Sequence, residues 1–139
     1  MLRTQLIHPE ILSALGAAGH GSIILVADGN YPFSTGAHPL AKRVYLNLAP
    51  GLLKVTDVLN ILVPAIPLEK VTVMMPDTGK EPAIYQEFRQ IITDVPLTTT
   101  QRFPFYEIAR SPDTALVIAT GEQRTYACVL LTIGVIPPA

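Results

Sequence analysis

The sequence is poor in charged, aromatic and cysteine residues. Charged residues are 15% of the 139, aromatic residues are 6%, and tryptophan is absent. Soluble domains average about 25% charged residues. The formal net charge is −1 and the chain has no basic block, which argues against nucleic acid as a partner. With 49% hydrophobic residues and so little charge, the chain is expected to bury surface in a homo-oligomer.

Further absences bear on compartment and cofactors. The single cysteine, Cys128, has no partner for an internal disulfide, which predicts a reducing and therefore cytoplasmic compartment. No apolar run reaches the ~18 residues of a membrane span, and the N-terminus lacks the apolar core of a signal peptide. The chain contains no CxxC, HExxH or His/Cys cluster, so we predict neither a metal nor a cofactor.

What is present is an alternation of helices with nearly continuous apolar strands. This pattern predicts an α/β fold: one domain over residues 1–139, with a mainly parallel central sheet covered by helices. The predicted strands cover residues 22–27, 71–75, 97–101, 115–119 and 127–132. Predicted helices begin at Pro9, Thr56 and Glu81, and a short one covers 105–110. Residues 28–50 are predicted to form an irregular loop, and loops of that length are usually functional.

Two polar residues flank the first predicted strand. His20 lies in Gly-His-Gly just before it and Asp28 just after it. Histidine titrates near neutral pH and suits proton transfer, although a surface or capping role is equally compatible with its position. An Asp after a strand of an α/β sheet lies where ligands gather, but Asp-Gly is also an ordinary turn. A strand of this length separates the two by roughly 20 Å. Either only one is functional, or a neighbouring subunit brings its own copy to the other.

Other candidates lie farther along the chain. Arg102 stands in Arg-Phe-Pro-Phe-Tyr-Glu with Tyr106, and guanidinium and aromatic groups together suit a sugar with hydroxyls and C–H faces, or simple core packing. Tyr126 and Cys128 follow Gly121-Glu122 in a turn between the last two strands. Glu69 and Met74 border or lie on a predicted strand, where a surface charge and a core residue are the default interpretations.

Taken together, these segments resemble the ribose pyranase and fucose mutarotase family over nearly the whole chain. The Gly-His-Gly, Val-Met-Met and Arg-Phe-x-Phe-Tyr-Glu segments resemble the fucose mutarotase branch more closely. The resemblance implies an α/β fold, cyclic assemblies often stacked into decamers, and monosaccharide sites between neighbouring subunits. A site shared between chains would resolve the separation of His20 from Asp28. The matching segments are 8–12, 19–21, 27–28, 67–69, 73–75, 102–103, 105–107, 120–122 and Tyr126.

The resemblance also implies roles for the candidates. His20 matches the family's proton donor, Tyr106 an active-site tyrosine, and Glu69 a position where the fucose branch can carry an acidic catalytic residue. The matches to sugar-binding or substrate-contact positions are Asp28, Met74, Arg102 and Tyr126. Cys128 occupies a position where the family typically has Asn; this removes an amide donor and acceptor and bears on which sugar binds more than on the reaction.

The predicted function is therefore cofactor-independent interconversion of sugar anomers, on an L-fucose-like monosaccharide, by acid/base ring opening and closure. Uncatalysed mutarotation already proceeds in water, so a gain of ~10²–10⁴-fold from a positioned acid or base is sufficient. Two alternatives remain open at this point: a D-ribose pyranase, which closes the ring through a different hydroxyl, and a sugar-binding accessory protein without catalysis.

Overall fold

A computed structural model describes residues 1–139. Its strands are β1 (Ile23–Ala27), β2 (Lys42–Tyr45), β3 (Leu68–Met74), β4 (Leu97–Thr100), β5 (Thr114–Ala119) and β6 (Val129–Ile133). Its α-helices are α1 (Pro9–Ala17), α2 (Val55–Leu62), α3 (Ile84–Ile91) and α4 (Arg102–Ala109), with a 3-10 turn at Val63–Ala65.

The six strands form one sheet in the order β2-β5-β1-β6-β3-β4. The pairs β1–β5, β2–β5 and β3–β4 are parallel, which confirms the predicted α/β fold with a mainly parallel sheet. Strand β6 is antiparallel to both of its neighbours, β1 and β3. Consequently the other five strands, β1 to β5, all point the same way, and β6 begins at the edge where they end.

The central strands are apolar because both faces of the sheet are covered. All five residues of β1 are buried. Ile24 and Val26 belong to the larger core cluster, together with residues of α1, α2 and α3. Leu25 and Ala27 belong to a smaller cluster on the opposite face, with Phe105 of α4. A strand buried on two faces shows a continuous apolar run, which is why β1 is recognisable in the sequence.

Three helix starts differ from prediction. Helix α2 begins at Val55 rather than Thr56, and its first turn is capped by the Asp57 carboxylate, which accepts from the backbone N–H of Lys54 at 2.9 Å. Helix α3 begins at Ile84 and not at Glu81, whose carboxylate instead pairs with Arg89. Helix α4 begins at Arg102, three residues before the predicted start, because a proline in the first turn removes no helical hydrogen bond.

Two strands also correct the sequence interpretation. Residues 28–50 are not wholly irregular, since β2 lies within them. This edge strand pairs only with β5, and Val44 is its single buried residue, so no apolar run marks it. Strand β3 begins at Leu68, which places Glu69 inside the strand. The other strands match prediction to within two residues at each end. No helix is long and apolar enough to cross a membrane.

Candidate active site

A pocket of about 370 Å³ opens at the carboxyl edge of β1 and β3. Asp28 directly follows β1, Met74 ends β3, and Arg102 begins α4 just beyond β4. The segment leading into β6 arrives at the same edge because β6 runs in the opposite direction. Ligands of open α/β sheets bind at this edge. The lining residues are Asp28, Asn30, Tyr31, Met74, Arg102, Tyr106, Thr125, Tyr126 and Cys128.

Asp28 is the buried polar group of this pocket, with 4% of its surface exposed. Its Oδ1 accepts from the backbone N–H of Asn30 at 3.0 Å, and its Oδ2 from that of Ala127 at 3.1 Å. Burial raises the pKa of the Asp28 carboxyl, and these hydrogen bonds only partly oppose the rise. The carboxyl group is thus held in one orientation by two separate segments of the chain.

Cys128 contacts the backbone of Asp28. Its Sγ accepts a hydrogen bond from the backbone N–H of Asp28 at 3.3 Å, and burial and the nearby carboxylate raise the pKa of the thiol well above its usual value. A thiol with a raised pKa stays neutral and is a poor nucleophile. Together with Met74, which is 5% exposed, Cys128 makes one side of the pocket apolar.

Aromatic rings form another wall. The ring of Tyr106 meets that of Tyr31 edge to face, with centroids 5.1 Å apart. Burial raises the pKa of Tyr106, so its phenol carries its proton at neutral pH and can donate it in a hydrogen bond. Arg102 lies four residues before Tyr106 on α4, and therefore on the same helix face. The Arg102 side chain is exposed and forms no ion pair, which leaves its donors available to a ligand.

The turn that carries Tyr126 is fixed by a buried carboxylate. Glu122, 3% exposed, accepts from Nε of Arg124 at 2.9 Å and from the backbone N–H of Val55 at 3.3 Å. Arg124 also reaches Glu87 on α3, at 2.6 Å. Tyr126 itself has φ of 57°, in the left-handed region that non-glycine residues rarely adopt. Such conformations persist where the surroundings over-determine them, often at ligand sites.

His20 and Glu69 lie at the opposite edge of the sheet. His20 precedes β1 and Glu69 is the second residue of β3, and His20 Nε2 lies 2.8 Å from Glu69 Oε2. Both side chains are open to solvent, 61% and 44% exposed. Six of the eight predicted site residues thus share the pocket, while His20 and Glu69 form a separate pair at the other end of the same strands.

Sequence reasoning missed part of the pocket. Tyr31 and Asn30 lie in the segment 28–50, which is predicted to be functional but from which only Asp28 is predicted as a site residue. The Asn-Tyr-Pro-Phe composition of that segment is the signal that could have identified them. No group of three or more His, Cys, Asp or Glu side chains is placed to hold a metal ion.

A pocket that combines a fixed carboxylate, a free guanidinium and tyrosine hydroxyls with an apolar side defines a binding domain for a small polar ligand. The chain belongs to the RbsD / FucU transport protein family, whose model matches residues 1–136. It is 31% identical over 135 residues to a D-ribose pyranase of Paracidovorax citrulli, covering 97% of this chain and 98% of that protein.

A second D-ribose pyranase, of Symbiobacterium thermophilum, is 27% identical with the same coverage. Among solved structures, the fucose mutarotase of Streptococcus pneumoniae in complex with L-fucose superimposes with a TM-score of 0.85 at 26% identity, over 99% of this chain and 100% of that one. Relatives of both branches therefore match the chain end to end.

Proposed function

We propose that the chain is a cofactor-independent aldose mutarotase. It is an isomerase of the type that interconverts the ring forms of a monosaccharide, and its preferred substrate is an L-fucose-like sugar. The observation that carries this proposal is the pocket at the carboxyl edge, which the hydrogen-bonded carboxylate of Asp28 shares with Arg102 and Tyr106. The end-to-end likeness to a fucose mutarotase and to D-ribose pyranases supports the same reaction class.

The pocket binds the sugar by its two kinds of surface. The carboxylate of Asp28 accepts from sugar hydroxyls, and Arg102 and Tyr126 offer donors to other sugar oxygens. Met74 and Cys128 face the C–H side of the ring or a deoxy carbon, where a hydroxyl would lose its hydrogen bonds to water without replacement. This apolar side supports a 6-deoxy sugar such as L-fucose.

A second copy of the chain completes the site. His20 and Glu69 lie at the far end of the strands from Asp28, so they serve a pocket only if another subunit presents them. We propose that this interface is head-to-tail: it joins two different surfaces, and with a suitable rotation between copies it closes into a ring. His20 lies at the rim of a groove lined by apolar residues including Leu15, Ile66 and Ile136, a surface suited to subunit contact. We propose a cyclic or decameric homo-oligomer, located in the cytoplasm.

Catalysis requires the transfer of two protons and the breaking and re-forming of one ring bond. The imidazolium of His20 from the neighbouring copy, oriented by its own Glu69, donates a proton to the ring oxygen. The phenol of Tyr106, which keeps its proton at neutral pH, relays the proton of the anomeric hydroxyl: its oxygen accepts that proton as its own O–H proton passes to the carboxylate of Asp28 in the same pocket. The bond between C1 and the ring oxygen breaks as C1 becomes an aldehyde. Rotation about C1–C2 and closure on the other face return both protons and give the other anomer.

The D-ribose pyranase activity is the second candidate, and the names of the curated relatives favour it. It requires the same ring opening, followed by closure through a different hydroxyl. The two functions therefore share every catalytic group proposed above and differ only in how the pocket holds the open chain.

Exchange NMR on equilibrated sugars separates these functions. With purified protein, we expect faster exchange between the α and β anomers of L-fucose, and a smaller effect on D-ribose. Faster pyranose–furanose exchange in D-ribose alone would assign the second function. Saturable binding of either sugar without any acceleration would contradict an enzyme and identify an accessory binding protein.

A further inference from the structure

The segment between β1 and β2, residues 28–41, builds one wall of the pocket without helix or strand. It presents Asn30 and Tyr31 to the pocket, and its buried apolar side chains are Tyr31 and the two small residues Ala37 and Ala41. Alanine side chains bury little apolar area, and fixing each residue costs about 1–2 kcal/mol in conformational entropy, so the segment needs a further source of order.

Arg43, in the adjoining strand β2, is surrounded by carbonyl oxygens of this segment. A guanidinium has five N–H donors, and here each of the five meets a different backbone carbonyl. Arg43 forms no ion pair with a carboxylate, so its charge is met by carbonyl dipoles alone. The acceptors are the carbonyl oxygens of Phe33 (3.1 Å), Ser34 (3.4 Å), Ala37 (3.2 Å), His38 (2.8 Å) and Ala41 (2.9 Å).

Residues 33–41, whose carbonyl oxygens bind Arg43, contact the aromatic side of the pocket directly. The Tyr31 hydroxyl donates to the carbonyl of Gly36, inside the span that Arg43 gathers, at 2.5 Å. The Tyr31 ring then packs edge to face on Tyr106. The backbone N–H of His38 also donates to the carbonyl of Ala109, the last residue of α4, at 3.0 Å. Residues 33–41 thus contact α4 directly through the His38 backbone, and indirectly through the ring of Tyr31, which is hydrogen-bonded to Gly36.

We propose that Arg43 is a positioning residue of the sugar site. By ordering residues 33–41 it fixes Tyr31, and through Tyr31 it fixes the ring of Tyr106 against the ligand. Its effect on turnover rests on the proposed function, whereas its effect on the two tyrosines does not. Lysine cannot replace it, because an ammonium has three donors in a compact head and cannot reach five carbonyls arranged around a planar fork.

Chemical rescue of Arg43→Ala tests this role. We expect the sugar-exchange rate to fall about 10²-fold, since misplacement of a reacting group by about 1 Å has that effect. Millimolar guanidinium should restore the rate at least about 10-fold and saturably, whereas ammonium at equal ionic strength should not, because only guanidinium supplies the planar set of donors. Arg89→Ala, which removes a surface ion pair on α3, is the matched control and should respond to neither cation.

A measurement without turnover keeps the two proposals distinguishable. With 3-fluorotyrosine incorporated, the ¹⁹F resonances of Tyr31 and Tyr106 should shift in Arg43→Ala and return with guanidinium. Gly36→Ala should shift the same two resonances, because a Cβ there would lie 2.7 Å from the Tyr31 ring. If the wild-type protein is inactive on sugars while Arg43→Ala still shifts these resonances, the mutarotase proposal is refuted and the role of Arg43 in placing the two tyrosines stands.

Two results would overturn the role of Arg43. One is a folded Arg43→Ala protein whose tyrosine resonances and exchange rate match the wild type. The other is an Arg43→Lys protein with full activity and unshifted resonances. If Arg43→Ala does not fold, Arg43→Lys alone decides: a loss of rate with shifted Tyr31 and Tyr106 signals supports the proposal, and wild-type behaviour refutes it.

Discussion

The two edges of the sheet carry carboxylates in opposite circumstances. At the carboxyl edge, Asp28 is 4% exposed and is held by backbone N–H groups from two segments. At the amino edge, the side chain of Glu69 is 44% exposed, and its hydrogen bond is to His20, itself 61% exposed. One edge is already organised within a single chain, while the other presents a titratable pair to its surroundings.

This contrast separates two tasks of the proposed enzyme. Binding a sugar requires fixed acceptors and donors, because groups that are ordered before binding lose little entropy on binding. The proposed proton donor, His20, is exposed at the opposite edge and can reach a ligand only in the pocket of a neighbouring copy. Under the proposed function, a single chain thus carries the sugar-binding groups and Tyr106 at one edge and the His20–Glu69 pair at the other, and the two sets do not meet within one chain.

The largest effect is expected from His20→Gln. Removing a general acid lowers the rate by ~10²–10⁴-fold, so most of the anomer exchange should vanish. Because the side chain is mostly exposed, the melting temperature should stay unchanged. Exchange NMR and thermal melting on the same sample check both parts. Lys70→Gln, a change at an exposed neighbour of Glu69, is the control and should retain activity. Full activity of His20→Gln would exclude His20 as the proton donor.

Glu122→Gln should lower the free energy of unfolding by about 1–3 kcal/mol, since it leaves the buried N–H of Val55 and the partly exposed guanidinium of Arg124 without their full acceptor. Burial raises the pKa of Glu122, but hydrogen bonds from Arg124 and Val55 outweigh it, so the net pKa lies below the usual 4.5. A lowered pKa contributes stability above pH 4.5 that is lost as the pH falls through the folded-state value. The difference between the two proteins should therefore shrink in acid.

Denaturant unfolding of both proteins at pH 7 and below pH 4.5 measures this dependence. If the difference in unfolding free energy between wild type and Glu122→Gln stays constant across that range, the ionised Glu122 carboxylate is not stabilised by Arg124, and the account of this turn is wrong. The matched control is Glu87→Gln, which removes only the outer, exposed partner of Arg124 and should change stability by less than about 1 kcal/mol.

The smallest effect is expected from Glu69→Gln. An exposed ion pair contributes about 0.2–1 kcal/mol, so stability should hardly change. Activity should fall by about 10-fold or less, because Glu69 acts by orienting His20 through their hydrogen bond and not by contacting the sugar in its own chain. Exchange NMR measures this loss, and a rate equal to that of the wild type would remove Glu69 from the mechanism.

Much of the fold follows from the sequence because burial leaves a pattern. Strand β1 is apolar at every position since both of its faces are covered, and its bounds are predicted to within one residue. Strand β2 is not predicted because an edge strand with one buried residue has no such pattern. The antiparallel direction of β6 also leaves no local mark, since it depends on which strands it pairs with.

The site was predicted only in part, for a related reason. Asp28, Arg102 and Tyr126 are marked by a strand end, an aromatic segment and a turn, and the structure brings all three to one pocket. Tyr31 is marked only by the composition of its loop, since its contact with the Tyr106 ring joins distant parts of the chain. Arg43 carries no signal at all, because its importance lies in hydrogen bonds to backbone carbonyls. The separation of His20 from Asp28 was predictable, since it depends only on the length of one strand.

The most direct test of the central claim is subunit mixing. Two variants, His20→Ala and Asp28→Ala, should each be nearly inactive and should each form the same oligomer as the wild type, measured by mass. Assembled together from the unfolded or dissociated state, they should regain activity at about a quarter of the sites, where an intact His20 meets an intact Asp28 from another copy. Mixed oligomers without activity, or a fully active monomer, would contradict a site shared between two chains.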